Sequence, residues 1–335
     1  MPSLPSMPVR SPGWTLIYSG IDITSAVSPM ITRISYRDYL SELSGEIDIE
    51  VEDHNQQWQS SWYPTLGDEV SLSIGYAGES MLPCGDFQVD QVELNGPPDR
   101  FMLRCLAAFI TPALRTANSV GYEGQTLLGI AQTIGAKYGL STVSAPAGID
   151  VAFQRITQKR ESDVAFLKRL AVENGYAFTV RGSSLVFYEF AVLLATPPTM
   201  TVNKTEVESF EFRNATYNTY GLAQVAYHNP LSKSLILESA VGAAETPAGE
   251  IRKIVARSEN GQQALFRAQS ATQASDLRFL QGSITMPGSA QMCSGNTIGI
   301  SGFANFDGIY LITAAHHTID RAHGYITRVE VSRVV

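Results

Sequence analysis

Charge, cysteine and long apolar runs are all scarce in this 335-residue chain, and each shortage closes off a class of protein. Charged side chains make up 17% of it, below the ~25% of an average soluble chain, while hydrophobic residues reach 44%, which excludes a disordered polyampholyte. Basic residues are the scarcer sign, 24 against 32 acidic, for a net charge of -8. A broad basic face cannot form, so tight nucleic-acid binding is not expected. The longest apolar runs, such as Phe190 to Ala195, fall far short of the ~20 residues that span a bilayer, and no stable membrane insertion is expected. The first residues carry four prolines before Gly13 and no apolar core of an export signal, so synthesis in the cytoplasm without export is the expectation.

Cys84, Cys105 and Cys293 are odd in number, widely spaced and free of any Cys-x-x-Cys pattern, which indicates neither a disulfide framework nor a zinc site. They read as small buried hydrophobes. The chain also lacks a Gly-x-Ser-x-Gly elbow, a His-Glu-x-x-His pair, a phosphate-binding loop and a cysteine with a base beside it. No enzyme active site, metal or cofactor is expected.

What is present is alternation. From Trp14 to about Ala108 the period is two, with strands expected at Ile31–Tyr39, Gly45–Asp53, Glu69–Tyr76, Phe87–Leu94 and Phe101–Ala107, a pattern that fits a small antiparallel barrel. The period then lengthens. Leu127, Leu128, Ile130, Ala131, Ile134 and Tyr138 predict a helix stopped by Gly139, and a second helix starts near Ser162 and ends at Asn174 and Gly175. A hairpin follows, Ala177–Arg181 with Leu185–Glu189 around Gly182, Ser183 and Ser184. Beyond the break at Thr196, Pro197 and Pro198, strands resume at Val207–Arg213 and Leu222–Tyr227. A stretch with two short strands, a Gly/Ala/Pro loop and a helix from about Glu259 to Leu280 interrupts them. Strands return at Ser283–Met286, Thr297–Ser301, Ile309–Ile319 and Tyr325–Val334.

The two ends of the chain repeat each other. Gly67-Asp68-Glu69-Val70, then Gly85, Phe87, Val89, Val92, Phe101 and Arg104, match Gly295-Asn296-Thr297-Ile298, then Gly308, Tyr310, Ile312, Ala315, Tyr325 and Arg328 in order and phase. The expected fold is therefore mainly β with α+β insertions, two related antiparallel β-barrels flanking an α/β module. Its expected division is an extended N-terminal arm 1–13, a first barrel 14–111, a middle module 112–195, a second barrel 196–228 with 283–335, and an insertion 229–282.

Two constellations invite a chemical reading. Glu46, Asp48, Glu50 and Glu52 alternate with Ile47, Ile49 and Val51, so four carboxylates project from one face of a single strand. A divalent-metal site or a glycosidase pair needs converging groups, whereas this row fans out. A solvated strand face or the acidic wall of a channel fits it better, with the isoleucines and valine in the core. His316 and His317, being adjacent on a strand, point to opposite faces and cannot share a metal; His323 lies in the loop beyond.

The run Gln158-Lys159-Arg160-Glu161-Ser162-Asp163-Val164-Ala165-Phe166-Leu167-Lys168-Arg169-Leu170-Ala171, then Gly175 and Leu185-Val186-Phe187-Tyr188, resembles the signature of the phage late control protein D family, contractile-tail baseplate hubs similar to the hub part of type VI secretion spike proteins. Gln158, Glu161, Ser162, Asp163, Phe166, Leu167, Leu170 and Gly175 carry that likeness. The Gly67-Asp68 strand entry, Gly124-Gln125-Thr126-Leu127, the Ser258–Ala268 helix start and Gly302-Phe303 before Gly308–Ile312 agree with it, so it covers nearly the whole chain. The resemblance implies tube-type barrels, a homotrimer with a pseudo-sixfold ring, and a hub adapting the sixfold tail tube to a threefold spike beside other baseplate proteins. Because the sequence stops at Val335, after its last expected strand, a separate trimeric spike protein is expected, in a phage tail or phage-derived bacteriocin baseplate. The segment Tyr122–Ala131 also resembles the opening of LysM modules, with Gln125 in place of the usual acid. That likeness keeps open an alternative, a tail-associated peptidoglycan-binding or peptidoglycan-cleaving protein.

Overall fold

The structure is a computed structural model that describes residues 10–41, 44–107, 114, 116–144, 150–215, 219–229, 233–244, 250–256 and 258–335. Most of the expected arm, and the expected boundary at residue 111, lie outside the described residues. The first barrel is built from β1 (Pro12–Tyr18), β2 (Ile21–Asp22), β3 (Ile31–Tyr39), β4 (Glu46–Glu52), β5 (Glu69–Tyr76), β6 (Leu82–Asn95) and β7 (Arg100–Ala107). Its strands alternate because one face must fill a core: Ile47, Ile49 and Val51 of β4 are sealed from solvent with Ile34, Leu72, Ile74, Phe87 and Phe101. Each such side chain contributes roughly 1.5–3 kcal/mol on burial.

The middle module follows as β8 (Ala117–Thr126), α1 (Leu127–Lys137), β9 (Ser141–Ser144), β10 (Ala152–Ser162), α2 (Asp163–Glu173), β11 (Tyr176–Arg181), β12 (Ser184–Glu189) and α3 (Phe190–Ala195). β8 and β10 form an antiparallel ribbon, while β11, β12 and β9 form a small mixed sheet. Both longer helices are capped by side chains: the Thr126 hydroxyl accepts the Gly129 amide at 3.1 Å and the Ser162 hydroxyl accepts the Ala165 amide at 3.2 Å. Their apolar stripes meet Tyr176, Phe178, Leu185 and Phe187 in one core.

The second barrel contains β13 (Met200–Asn203), β14 (Ser209–Asn214), β18 (Leu280–Pro287), β19 (Thr297–Ser301), β20 (Gly308–Asp320) and β21 (Gly324–Arg333). Between β14 and β18 the chain makes β15 (Leu222–Asn229), β16 (Ser234–Val241), β17 (Ile251–Val255) and α4 (Gly261–Phe279). Here one expectation is corrected. β15 was placed in the second barrel, but it pairs with β16 and β17 in a separate three-stranded sheet. Its apolar residues Ala223 and Val225 are claimed by Ala264, Ala268 and Ala271 of α4, so the strand belongs with the insertion.

The barrels share one hydrogen-bonded sheet, and their pairing orders match: β3-β4-β7-β6-β5 in the first, β14-β18-β21-β20-β19 in the second. The correspondence extends to single bonds. The Gly67 amide donates to the Val89 carbonyl at 2.8 Å and the Gly295 amide to the Ile312 carbonyl at 2.9 Å; Val89 and Ile312 return the bond to Asp68 and Asn296. β6 bulges between Val89 and Gln91, and β20 bulges at the corresponding place between Ile312 and Ala314. The final strand departs from the expected match by two residues. Past each bulge Arg104 stands opposite Gln91 and Glu330 opposite Ala314, so Arg104 corresponds to Glu330 rather than to Arg328, and Phe101 to Thr327 rather than to Tyr325.

Gly67 and Gly295 hold φ values of 95° and 88°, a region that side-chain-bearing residues avoid, and neither has a neighbour close enough to obstruct a methyl group. Gly67→Ala and Gly295→Ala are each expected to lower stability by about 1–2 kcal/mol in urea unfolding. Gly121→Ala, at an ordinary φ with open space, should cost nothing or stabilise slightly. Unequal penalties at Gly67 and Gly295 would contradict their equivalence.

Candidate assembly surface

The four carboxylates of β4 lie where their phase puts them, on the face opposite the core, but they are not a bare acidic row. Strand register brings arginines alongside from both neighbours. Arg37 of β3 pairs with Glu46 and lies 3.4 Å from Asp48; Arg104 of β7 reaches Asp48 at 3.0 Å and Arg100 reaches Glu50 at 3.2 Å. Glu52 binds Arg321 at 3.1 Å, and that guanidinium holds the Glu52 carboxyl below its usual range. Each pair is weak at such exposure, but together they turn like-charge repulsion into a ladder of alternating sign. The arginines went unrecognised because they are remote in sequence. Only their phase signals them, since Arg33 and Arg37 on β3 and Arg100 and Arg104 on β7 occupy the polar positions of their strands. The corresponding positions of the second barrel, Gln281, Ser283 and Thr285, are uncharged.

The residues of the middle-module signature converge on a buried polar node. The Asp163 carboxylate is sealed from solvent and accepts hydrogen bonds from the Gln158 amide at 2.7 Å, the Tyr138 hydroxyl at 2.8 Å and the Asn118 amide at 3.4 Å. Burial alone would raise its pKa. The bonds from Gln158 and Tyr138, the Lys137 ammonium at 3.6 Å and Asn118 outweigh that and hold it below the ordinary aspartate value. Gln158 also donates to the Glu161 carbonyl, Ser162 caps α2, and Glu161 takes a two-pronged bond from Arg169 at 2.6 and 3.1 Å. Phe166, Leu167 and Leu170 are fully buried, and Gly175 ends the segment at φ 81°. The signature thus positions a helix. The LysM-like stretch does the same for α1, with Thr126 as its cap.

A second, partly buried node ties the modules together. Arg181 of β11 donates to Asp38 of β3 at 3.0 Å and to the Ser294 hydroxyl at 2.9 Å, while Asp38 accepts the Ser294 amide at 2.9 Å. Burial disfavours the guanidinium charge, but Asp38 more than offsets it and raises the Arg181 pKa. The two adjacent histidines do face opposite ways. His316 lies on the polar face, 3.0 Å from the Ser35 hydroxyl; His317 is enclosed between the barrels, stacked on Tyr36. Nε2 of His317 faces the Met292 carbonyl at 3.1 Å, so it donates there, and Nδ1 accepts from Tyr325 or Thr327. Burial pushes its pKa down to about 4.

Burial also raises all three thiols, Cys105 to about 12 and Cys293 to about 11, which keeps them protonated and unreactive. Among the described residues no group of three His, Cys, Asp or Glu is placed to hold a metal, and no helix is long and apolar enough to cross a membrane. A cleft of about 910 Å³ between the barrels is lined by Tyr76, Met81, Met200, Met286 and the Arg10–Glu79 ion pair.

Residues 64–322 match a family model described as phage tail baseplate hub (GPD). The chain is 26% identical over 214 residues to a probable baseplate hub protein of Escherichia phage 186, covering 63% of this chain and 54% of that one. It is 29% identical over 177 residues to a probable baseplate hub protein of Escherichia phage P2, covering 53% and 45%. The chain thus spans about half the length of these curated relatives. Among solved structures, the 43 kDa tail protein of prophage MuSo2 from Shewanella oneidensis superposes with a TM-score of 0.74 at 17% identity, over 96% of this chain and 98% of that one. A tail protein from Neisseria meningitidis MC58 gives 0.73 at 12%, over 96% and 97%. The E. coli c3393 protein, a component of the type VI secretion system, gives 0.59 at 15%, over 91% and 74%. These likenesses show a shared fold.

Asp163→Ala removes the acceptor shared by Gln158, Tyr138 and Asn118, and is expected to destabilise the chain by about 3–5 kcal/mol in urea unfolding. An effect under about 1 kcal/mol would contradict a structural role for the node. His317 predicts a pH dependence. Its folded pKa of about 4 lies below the unfolded value near 6.5, so the unfolded state binds the proton first and stability falls as pH drops through that window. The loss should approach about 3 kcal/mol, and His317→Gln should flatten the dependence between those pH values.

Proposed function

Because the chain belongs to the phage tail baseplate hub (GPD) family, we propose that it is a structural hub of a contractile tail, a homotrimeric adapter between the sixfold tail tube and a threefold spike. The observation that carries this reading is the pair of topologically equivalent barrels held in one continuous sheet. Three copies offer six barrels, which can meet a hexameric tube with near-sixfold geometry while the insertions remain threefold. The work is mechanical: it rests on symmetry matching and on surface buried between subunits, and needs no bond made or broken.

In such a ring the polar face of the sheet lines the channel. Paired charges on β4, β3 and β7 present little net field to a passing polymer, so the ladder favours sliding over either gripping or strong repulsion. The partners in this reading are the tail tube, a spike and other baseplate proteins, and the site of action is the baseplate of a virion or of a phage-derived bacteriocin. The chain acts without catalysis in this reading.

Electron microscopy of the purified chain, with its mass in solution, tests the proposal. A closed ring of three copies with six similar lobes around a channel is expected. A particle of one copy at every concentration, or a ring of another copy number, would overturn it.

A further inference from the structure

The internal duplication predicts more than a shape. Within the chain, β20 turns away from β19 at its bulge, and its second half pairs with β3: Ala314 lies opposite Tyr39, His316 opposite Arg37, His317 opposite Tyr36 and Thr318 opposite Ser35. The counterpart of β20 is β6, and past the Asp90 bulge β6 is bonded, among the described strands, only to β7. The counterpart of β3 is β14. The row Arg37–Glu46–Leu106 across β3, β4 and β7 corresponds to the row Arg213–Gln281–Ser332 across β14, β18 and β21. β14 is bonded only to β18 among the described strands, so its outer edge is open. The same seam is therefore filled once inside the chain and left with two unmatched halves, one on each barrel.

We propose that the open edge of β6 pairs antiparallel with the open edge of β14 of a second copy of this chain, with Gln91 opposite Ala215, Glu93 opposite Arg213, Leu94 opposite Phe212 and Asn95 opposite Glu211. The register is that of β20 on β3 carried across the duplication. Its chemistry is complementary on both faces. Glu93 meets Arg213 on the polar face, where His316 meets Arg37 inside the chain. Leu94 meets Phe212 on the core face, where His317 stacks on Tyr36. Exposure agrees: Leu94 is 50% exposed and its neighbour on the other edge, Phe210, 47%, whereas Tyr36 and His317 are buried by each other's strands. Long unpaired edges carrying large apolar side chains are hazards that soluble proteins avoid unless the edge has a partner. The two edges differ, so the contact is head-to-tail and propagates around a ring. The inference rests on the ring reading above and specifies its seam.

Disulfide trapping tests the register. Glu93→Cys and Arg213→Cys in one full-length chain, under mild oxidation, should give linked dimers and trimers on a non-reducing gel, since directly opposed strand residues bring Cβ atoms to about 4.5–5.5 Å. Each single variant, and the displaced pair Glu93→Cys with Ser209→Cys, should remain unlinked, which also controls for the native cysteines. As a second route, Glu93→Arg should abolish assembly, and Glu93→Arg with Arg213→Glu should restore it. Trimers that do not link through Glu93→Cys and Arg213→Cys, or that link through the displaced pair, overturn the register while leaving the ring intact. A wild-type chain that never assembles overturns both.

Discussion

Seven residues of β20, Ala314 to Asp320, pair with Tyr39 to Arg33 of β3, and through that ladder two barrels become one body. The bulge at Thr313 makes it possible, because a strand can serve two sheets only if it bends between them. Before the bulge β20 pairs with β19 in the second barrel; after it, β20 supplies Ile319, and β21 supplies Tyr325, to the first barrel's core. His317 fills the space between, neutral because burial denies it a proton. Where the ladder ends, the Asp38–Arg181–Ser294 node fixes the middle module to the same strand. Leu40, Ala177, Leu193 and Leu311 add an apolar cluster drawn from all three parts. Rotation of the middle module against β3 would break the Asp38–Arg181 pair and leave the buried Asp38 carboxylate without its counter-charge.

The middle module shows how a polar motif can be wholly structural. A carboxylate enclosed like Asp163 would ordinarily be a candidate for acid–base work. Here the hydrogen bonds it accepts hold it ionised, and those donors come from β8, from the residue that ends α1 and from β10, so its charge locks a helix start against a ribbon. Arg169, Glu173 and Arg267 extend the lock to α4 through contacts of 3.3 and 2.8 Å. The signature that identifies the family is therefore a description of how two helices and a ribbon are fastened.

The sequence was most informative where structure is local. β3 and β5 begin and end where alternation and flanking turn residues place them, and the β11–β12 hairpin closes on Gly182 and Ser183. Partners are another matter. Leu222–Asn229 alternates as cleanly as any barrel strand, and nothing in its own residues says that Ala223 and Val225 pack on a helix forty residues away. β1, which alternation alone does not single out as a strand, starts with Pro12 and gains its place by pairing with β5. The two-residue error in matching Arg104 arose because hairpin tips of different length leave side-chain phase unchanged, and only the bulge fixes register. The arginines beside β4 are the same lesson at the assembly surface: phase was visible, and the neighbour was not.

Duplication within one chain does something that six identical barrels cannot. Identical barrels would carry identical loops and present six equal surfaces to whatever lies below them. Here only six residues separate β3 from β4, whereas the matching connection from β14 to β18 holds three strands and α4, and the whole middle module lies between the barrels in sequence. The barrels have also diverged on their polar faces, charged along Glu46, Asp48 and Glu50 and uncharged along Gln281, Ser283 and Thr285. The proposed ring of three such chains would repeat its sheet at six places and its insertions and charge ladder at three. Sixfold regularity then resides in backbone hydrogen bonding, which is indifferent to side-chain identity, and threefold order in side chains and insertions. In the ring proposed above, that division would let one surface match a sixfold tube and another a threefold spike without strain in either.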